Sequence, residues 1–160
     1  MRDRKEKNKS NMESVQFKKV VDKELKSQGF IKKGNSWYSS TNECIVLLNL
    51  QHSNFSSFYY INLCSFLRKR NYDEKYPKET ECHIRTRVPN SGEDGENYLE
   101  ILDLTTLVSD EKRELLLIDM IHKYCLPYLL KLSSIEGIKE LYKEEPSLNY
   151  KNPYTSLGFS

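Results

Sequence analysis

Three side chains in Cys82-His83-Ile84-Arg85-Thr86-Arg87-Val88 have the types and spacing to grip an anion. His83, Arg85 and Arg87 fall at i, i+2 and i+4, which in a β-strand places them on one face. Two guanidiniums and an imidazole in such a row can hold a carboxylate or phosphate through charge-assisted hydrogen bonds. The chain's own acids, such as Glu79, Glu81, Glu100 or Asp103, can equally neutralise the row. Arg85 follows the apolar Ile84, so its guanidinium is expected to be partly buried. It then needs a carboxylate, backbone carbonyls or a bound anion.

A second group mixes amides with aromatics. Trp37, Gln51, Ser53, Tyr60 and Asn62 can line a surface suited to a peptide, a base or a sugar. Asn and Gln also commonly satisfy loop backbone groups, which is the plainer role here. Conventional catalytic machinery is missing: there is no phosphate-binding glycine loop, nucleophile elbow or HExxH. Cys82 and His83 are adjacent, so in a strand they point to opposite faces and cannot share a metal ion. A nucleophilic pair of Cys64 and His83 requires neighbouring strands, and the alternative is a buried thiol near a hydrogen-bonded histidine. No catalytic residue, metal site or cofactor is assigned.

Composition narrows the classes. The 160 residues carry 25 Lys/Arg and 23 Asp/Glu, 38% hydrophobic residues and 11 tyrosines. Surface scaling lets a chain of this size bury about 70% of its unfolded surface, enough for a core without metal or disulfide staples. Residues 1–40 hold 11 Lys/Arg against 5 Asp/Glu, whereas residues 41–160 hold 14 against 18. Uniform nucleic-acid-binding charge is therefore excluded, and nucleic acid is not an expected partner. The longest uncharged apolar run, 44–50, is far too short to span a membrane. No secretory or lipidation signal is evident, so a cytoplasmic setting is expected. In that setting Cys44, Cys64, Cys82 and Cys125, which form no CxxC pair, are expected as buried free thiols.

These candidates must be positioned by regular elements. Residues 1–11 are expected to be a flexible charged lead-in, 12–145 a single α+β domain and 146–160 an irregular tail. Phe17, Val21 and Leu25 recur at helical spacing, and Gly29 suits the left-handed position that ends a helix. The period then changes to two, predicting strands over 30–33, 36–40, 43–51, 58–67 and 82–88 with short connections that require antiparallel pairing. A loop centred near Asn54-Phe55 sets Asn49 opposite Tyr60 and Leu47 opposite Asn62. One face then carries Cys44, Val46, Leu48, Leu50, Tyr59, Ile61, Leu63 and Ser65, and should meet the helices. The opposite face carries Ile45, Leu47, Asn49, Gln51, Phe58, Tyr60, Asn62 and Cys64. Ser109 caps a helix running through Leu115, Ile118, Ile121, His122 and Cys125, which Pro127 should kink or divide. Ser133 to Glu136 has capping-box spacing and opens the last helix. The fold expected is an antiparallel meander of four or five strands, with an N-terminal helix and two C-terminal helices on one face.

Several of these segments together resemble a bacterial family catalogued as domain of unknown function 4304. They are Gly29-Phe30, Lys33-Gly34-Asn35-Ser36-Trp37-Tyr38, Asn49-Leu50-Gln51-His52-Ser53 with Phe55, Tyr59-Tyr60-Ile61-Asn62-Leu63, and Cys82-His83-Ile84-Arg85. The resemblance runs over roughly residues 13–132. It implies an α+β domain with no agreed catalytic residues, and flags Trp37, Gln51, Ser53, Asn62, His83 and Arg85 as matching positions. Small domains of this general kind include immunity and toxin-associated proteins. The expected function is a non-enzymatic binding module, immunity-like or regulatory, with a protein partner. The alternative is an enzyme or ligand-binding domain that takes a small anionic or nucleotide-like molecule on the His83/Arg85/Arg87 row.

Overall fold

A computed structural model describes residues 13–68 and 75–148. The expected lead-in at 1–11 and nearly all of the expected tail at 146–160 lie outside the described residues. Helix α1 (Ser14–Ser27) buries Phe17, Val20, Val21 and Leu25 along one stripe. It ends where Gly29 takes φ +86°, with Gly29 N–H donating to Lys26 O and Phe30 N–H reaching back to Leu25 O. This double bond satisfies two of the helix's orphan carbonyls and turns Phe30 onto the core.

Strands β1 (Ile31–Lys33), β2 (Ser36–Ser40), β3 (Cys44–His52), β4 (Tyr59–Leu67) and β5 (Ile84–Arg87) form one antiparallel sheet in the order β1-β2-β3-β4-β5. The expected partition of faces is observed. Cys44, Val46, Leu48 and Leu50 of β3 and Tyr59, Ile61 and Leu63 of β4 join the helix-side core, and the Ser65 hydroxyl donates to Leu132 O on the same side. The register is not the expected one. Asn49 pairs with Asn62 and Leu47 with Cys64, a shift of two residues. A shift of two preserves both faces, whereas a shift of one would exchange them. The physical reason is polar: the observed register sets amide against amide, and the expected one would set buried Asn62 against Leu47.

Among the described residues the outer face is covered at one end only. Tyr38, Ile45, Leu47, Cys64, Phe66 and Cys82 form a second apolar cluster there, under a segment anchored by the Tyr38 hydroxyl donating to Pro77 O. A 3-10 turn at Glu79–Glu81 continues this cover into β5.

On the other side, helix α2 (Tyr98–Leu102), which the sequence reading did not anticipate, precedes α3 (Asp110–Met120). The division expected at Pro127 takes the form of a π turn. A π turn over Ile121–Cys125, closed by Leu126 N–H donating to Ile121 O, leads straight into α4 (Leu126–Leu132). Proline lacks its N–H and its ring crowds the preceding turn, and the wider π turn absorbs both defects. Helix α5 (Ile135–Glu144) is capped by Ser134 accepting from Gly137 N–H, so the cap is one residue later than the expected Ser133. Gly137 is required for packing, since a Cβ there would meet Lys131 O at 2.1 Å. Among the described residues no helix is long and apolar enough to cross a membrane.

Leu115 faces solvent at 69% exposure, and Arg113 is the side chain fully buried. Its guanidinium donates to the carbonyls of Glu100, Ile101, Asp103 and Thr106 and to the Thr106 hydroxyl, at 2.8–3.0 Å. These carbonyls end α2 and the turn after it, so one cation satisfies the acceptors the short helix leaves open. Burial lowers the Arg113 pKa, against the opposing charges of Asp103, Asp110 and Glu100. Arg113→Met should therefore destabilise the fold by about 3–5 kcal/mol in urea unfolding, because the buried carbonyls lose their donor. A loss below about 1 kcal/mol would show that water replaces the guanidinium and that α2 does not depend on it.

Candidate functional site on the uncovered sheet face

At the end of the outer face left open, a polar row crosses four strands. Ser36 of β2, Asn49 of β3, Asn62 of β4 and Arg87 of β5 are successive direct partners in the register. Arg87 Nε donates to Asn62 Oδ1 at 3.2 Å, Asn62 Nδ2 to Asn49 Oδ1 at 3.0 Å, and Asn49 Nδ2 to Ser36 Oγ at 2.9 Å. All donors point the same way, so each bond polarises the next. Asn62 is fully buried and uses its amide twice, its Nδ2 also donating to Gln51 Oε1 at 3.1 Å.

Gln51 Oε1 is the second focus. It accepts from Asn62, from Arg87 Nη2 at 3.1 Å and from Arg85 Nη2 at 3.4 Å. The Arg87 guanidinium lies 4.1 Å from the ring centroid of Tyr60, which in turn meets Phe58 edge to face. Stacking leaves one guanidinium edge on the amides and one plane on the aromatic, an orientation lysine could not hold.

The structure thus brings Gln51, Tyr60, Asn62, Arg85 and Arg87 together. The other three expected residues stand apart. Trp37 is fully buried on the helix side, paired with Leu48, and its indole N–H donates to Asp22 Oδ1 at 2.9 Å. An even-numbered step along β2 from Ser36 would have kept it outside; an odd one turns it inward. Ser53 serves its own loop, with its hydroxyl accepting from Phe55 N–H. His83 keeps the outer-face parity of Arg85, but its Nδ1 accepts Leu67 N–H at 2.9 Å and its ring packs on Phe66. It is a sheet-end cap rather than a third member of the anion row. Arg85 finds one of its expected acids, with Nε 3.2 Å from Glu79 Oε2, although the contact lacks hydrogen-bond geometry.

All four thiols are buried and free. Cys64 is fully buried and hydrogen-bonded to Cys82, whose pKa this bond and burial push up. Burial raises Cys44 to about 11 and Cys125 to about 12. Among the described residues no three His, Cys, Asp or Glu side chains converge to hold a metal.

Beyond Tyr60 the open face runs into a groove of about 470 Å³ that includes Phe58, Tyr60, Arg87, Val88, Leu99 and Leu102 in its lining. Two loops meet at its rim. Leu104 N–H donates to Ser57 O, and Phe58 bridges Asp103, so the β3–β4 loop is tied to the loop after α2. These loops present Phe55 at 97% and Leu107 at 90% exposure, with Leu99 of α2 at 44%. Sequence reading missed this apolar rim, although Phe55 amid serines and asparagines was a visible signal.

The sequence profile described as "Domain of unknown function (DUF4304)" matches residues 21–131. Nothing among curated proteins matches the chain. No solved structure matches it either.

The geometry orders two substitutions. Asn62→Leu strands Arg87 Nε and the acceptor on Asn49, and should cost about 2–3 kcal/mol in urea unfolding. Arg85→Ala removes a one-third exposed ion contact, and should cost only about 1 kcal/mol. The reverse order would place the structural weight on the ion pair rather than on the amide row.

Asp22 offers a pH test. Burial pushes its carboxyl up, but hydrogen bonds from Trp37 and Lys26 and the charges of Lys26 and Lys32 prevail, leaving a lowered pKa. A depressed folded-state pKa contributes stability that is present above the unfolded value near 3.9 and lost as pH falls through the folded one. Asp22→Asn keeps an acceptor for Trp37 but cannot titrate. Below about pH 4 the wild type should lose stability more steeply than this variant, and parallel curves would contradict the assignment.

Proposed function

The chain belongs to the DUF4304 family, a membership that names no reaction, and from the geometry we propose that it is a non-enzymatic binding module for a protein partner. It does so as a single folded unit over residues 12–145, in the cytoplasm, by an immunity-like or regulatory interaction that involves no nucleic acid. The observation that carries this reading is the exposure of Phe55, Leu99 and Leu107 on the elements around the groove, together with Arg87 stacked on Tyr60. Exposed large apolar residues gathered near a groove mark interaction sites, and arginine and tyrosine supply much of the energy at protein interfaces. Among the described residues Arg87 is the one charged side chain lining the groove. The fitting partner is therefore a protein segment with aliphatic side chains and a carboxylate positioned for that guanidinium.

The alternative of a small anion on the His83/Arg85/Arg87 row is less well supported. Arg85 already lies against Glu79, and His83 Nδ1 is occupied by a backbone N–H.

The test is quantitative affinity capture from the source organism with the full chain and a Phe55→Asp/Leu107→Asp variant of unchanged melting temperature. The wild type should recover one protein at near-equal stoichiometry, and the variant should weaken it at least about tenfold. Equal recovery by both chains would remove this surface from the function. Saturable binding of a phosphate or carboxylate compound that Arg87→Ala abolishes, without any protein partner, would favour the alternative.

A further inference from the structure

Strand β5 forms one side of the sheet, and among the described residues no strand lies beyond it. Its register decides which backbone groups face outward. The pairing of Arg87 with Asn62 sets Val88 opposite Ile61, whose carbonyl accepts the Val88 N–H at 3.0 Å. In an antiparallel pair the ladder bonds fall on every second residue, so Ile84, Thr86 and Val88 direct theirs to β4. The N–H and C=O groups of Arg85 and Arg87 therefore point away from the sheet. Among the described residues no hydrogen bond takes them up.

Such an edge is commonly blunted by charged side chains laid across it. Here both arginines are held the other way, over the outer face. Arg87 is bonded to Asn62 and Gln51 and stacked on Tyr60, and Arg85 reaches Gln51 and Glu79. Thr86 between them is partly exposed. The opposite edge is the three-residue β1, which is shorter and carries two lysines.

Charge selects the occupant. A second copy of this chain would pair β5 with β5 and set these arginines against arginines, which is unfavourable. Arg85 has Glu79 beside it, but Arg87 is exposed and its hydrogen-bonded partners are neutral amides. A carboxylate on a neighbouring strand would complement it. Past Arg87 the strand ends at the groove of Tyr60, Val88 and Leu99, which suits an apolar side chain. We infer that a partner protein adds an extended segment antiparallel to β5, with carboxylates at alternate positions beside Arg87 and Arg85 and an apolar residue in the groove. The inference rests on the reading of the chain as a protein-binding module and specifies how the partner is held. In additions of this kind main-chain bonds give the attachment, and alternate side chains give the selectivity.

NMR titration of the full chain with the peptide acetyl-Thr-Leu-Thr-Glu-Thr-Glu-Thr-amide tests the proposal. The peptide should bind saturably and shift the amides of Arg85 and Arg87 most. Antiparallel pairing turns the N–H groups of its two glutamates toward β5, so N-methylating both should weaken binding at least about tenfold. Methylating the threonine between them, whose N–H faces away, should change it less than about threefold. Lysines in place of the glutamates should weaken it at least about tenfold. Arg85→Pro removes an N–H that the fold does not use, so it should melt as Arg85→Ala does and yet lose the peptide. Arg85→Ala keeps that N–H and should weaken the peptide only about threefold.

Absence of saturable binding, or equal binding of the peptide methylated on both glutamates, would overturn the proposal, and both are read on the wild type whether or not Arg85→Pro folds. Equal binding by a folded Arg85→Pro would overturn it too. Capture of a natural partner that Phe55→Asp/Leu107→Asp loses and Arg85→Pro retains would contradict strand addition alone and leave the binding module standing.

Discussion

The row Arg87–Asn62–Asn49–Ser36 is the constraint around which the sheet is arranged. Each member lies directly opposite the next on adjacent strands, and each bond runs donor to acceptor in one direction. Because Asn62 is fully buried, any register that removes its partners leaves an amide desolvated and unpaired. The hydrophobic pattern alone does not distinguish registers two residues apart, since both keep apolar side chains on the helix side. The amide row does, and in doing so it also sets where β5 joins the sheet and where Arg87 rests on Tyr60.

Buried polar groups do the same work on the helical side. Arg113 gathers the carbonyls that end α2 and fixes the loop through Thr106, and this loop bonds to the turn between β3 and β4. The exposed rim of Phe55 and Leu107 is thus held from two directions, by the sheet register below it and by a buried guanidinium behind it. A surface held in place loses less conformational entropy on binding than a mobile one.

Much of this architecture was legible in the sequence, for reasons specific to particular residues. Alternation along 44–50 and 59–65 separates the sheet faces, and Gly29 with Phe30 announces the end of α1. What failed to show were effects that depend on partners distant in the chain. Asn49 and Asn62 could have been aligned as a pair of amides, but apolar periodicity is silent on a two-residue slip. Arg113 in a charged stretch, Asp110-Glu111-Lys112-Arg113-Glu114, reads as solvated, and only the orphan carbonyls of α2 explain its burial. Trp37 reads as part of the amide and aromatic surface, yet its indole N–H is satisfied by Asp22 on α1 inside the fold. Gln51, Tyr60, Asn62, Arg85 and Arg87 stand out by type alone, and the strands that carry them bring them together.

The central claim is that the amide row is energetically coupled across strands, rather than a set of independent surface contacts. A double-mutant cycle on Asn62→Leu and Arg87→Met, followed by urea unfolding, measures this coupling directly. The account predicts an interaction energy of about 1–2 kcal/mol, because either change alone strands the other partner. Additive losses, within about 0.3–0.5 kcal/mol, would mean that Asn62 and Arg87 do not act on each other and that the register has another origin.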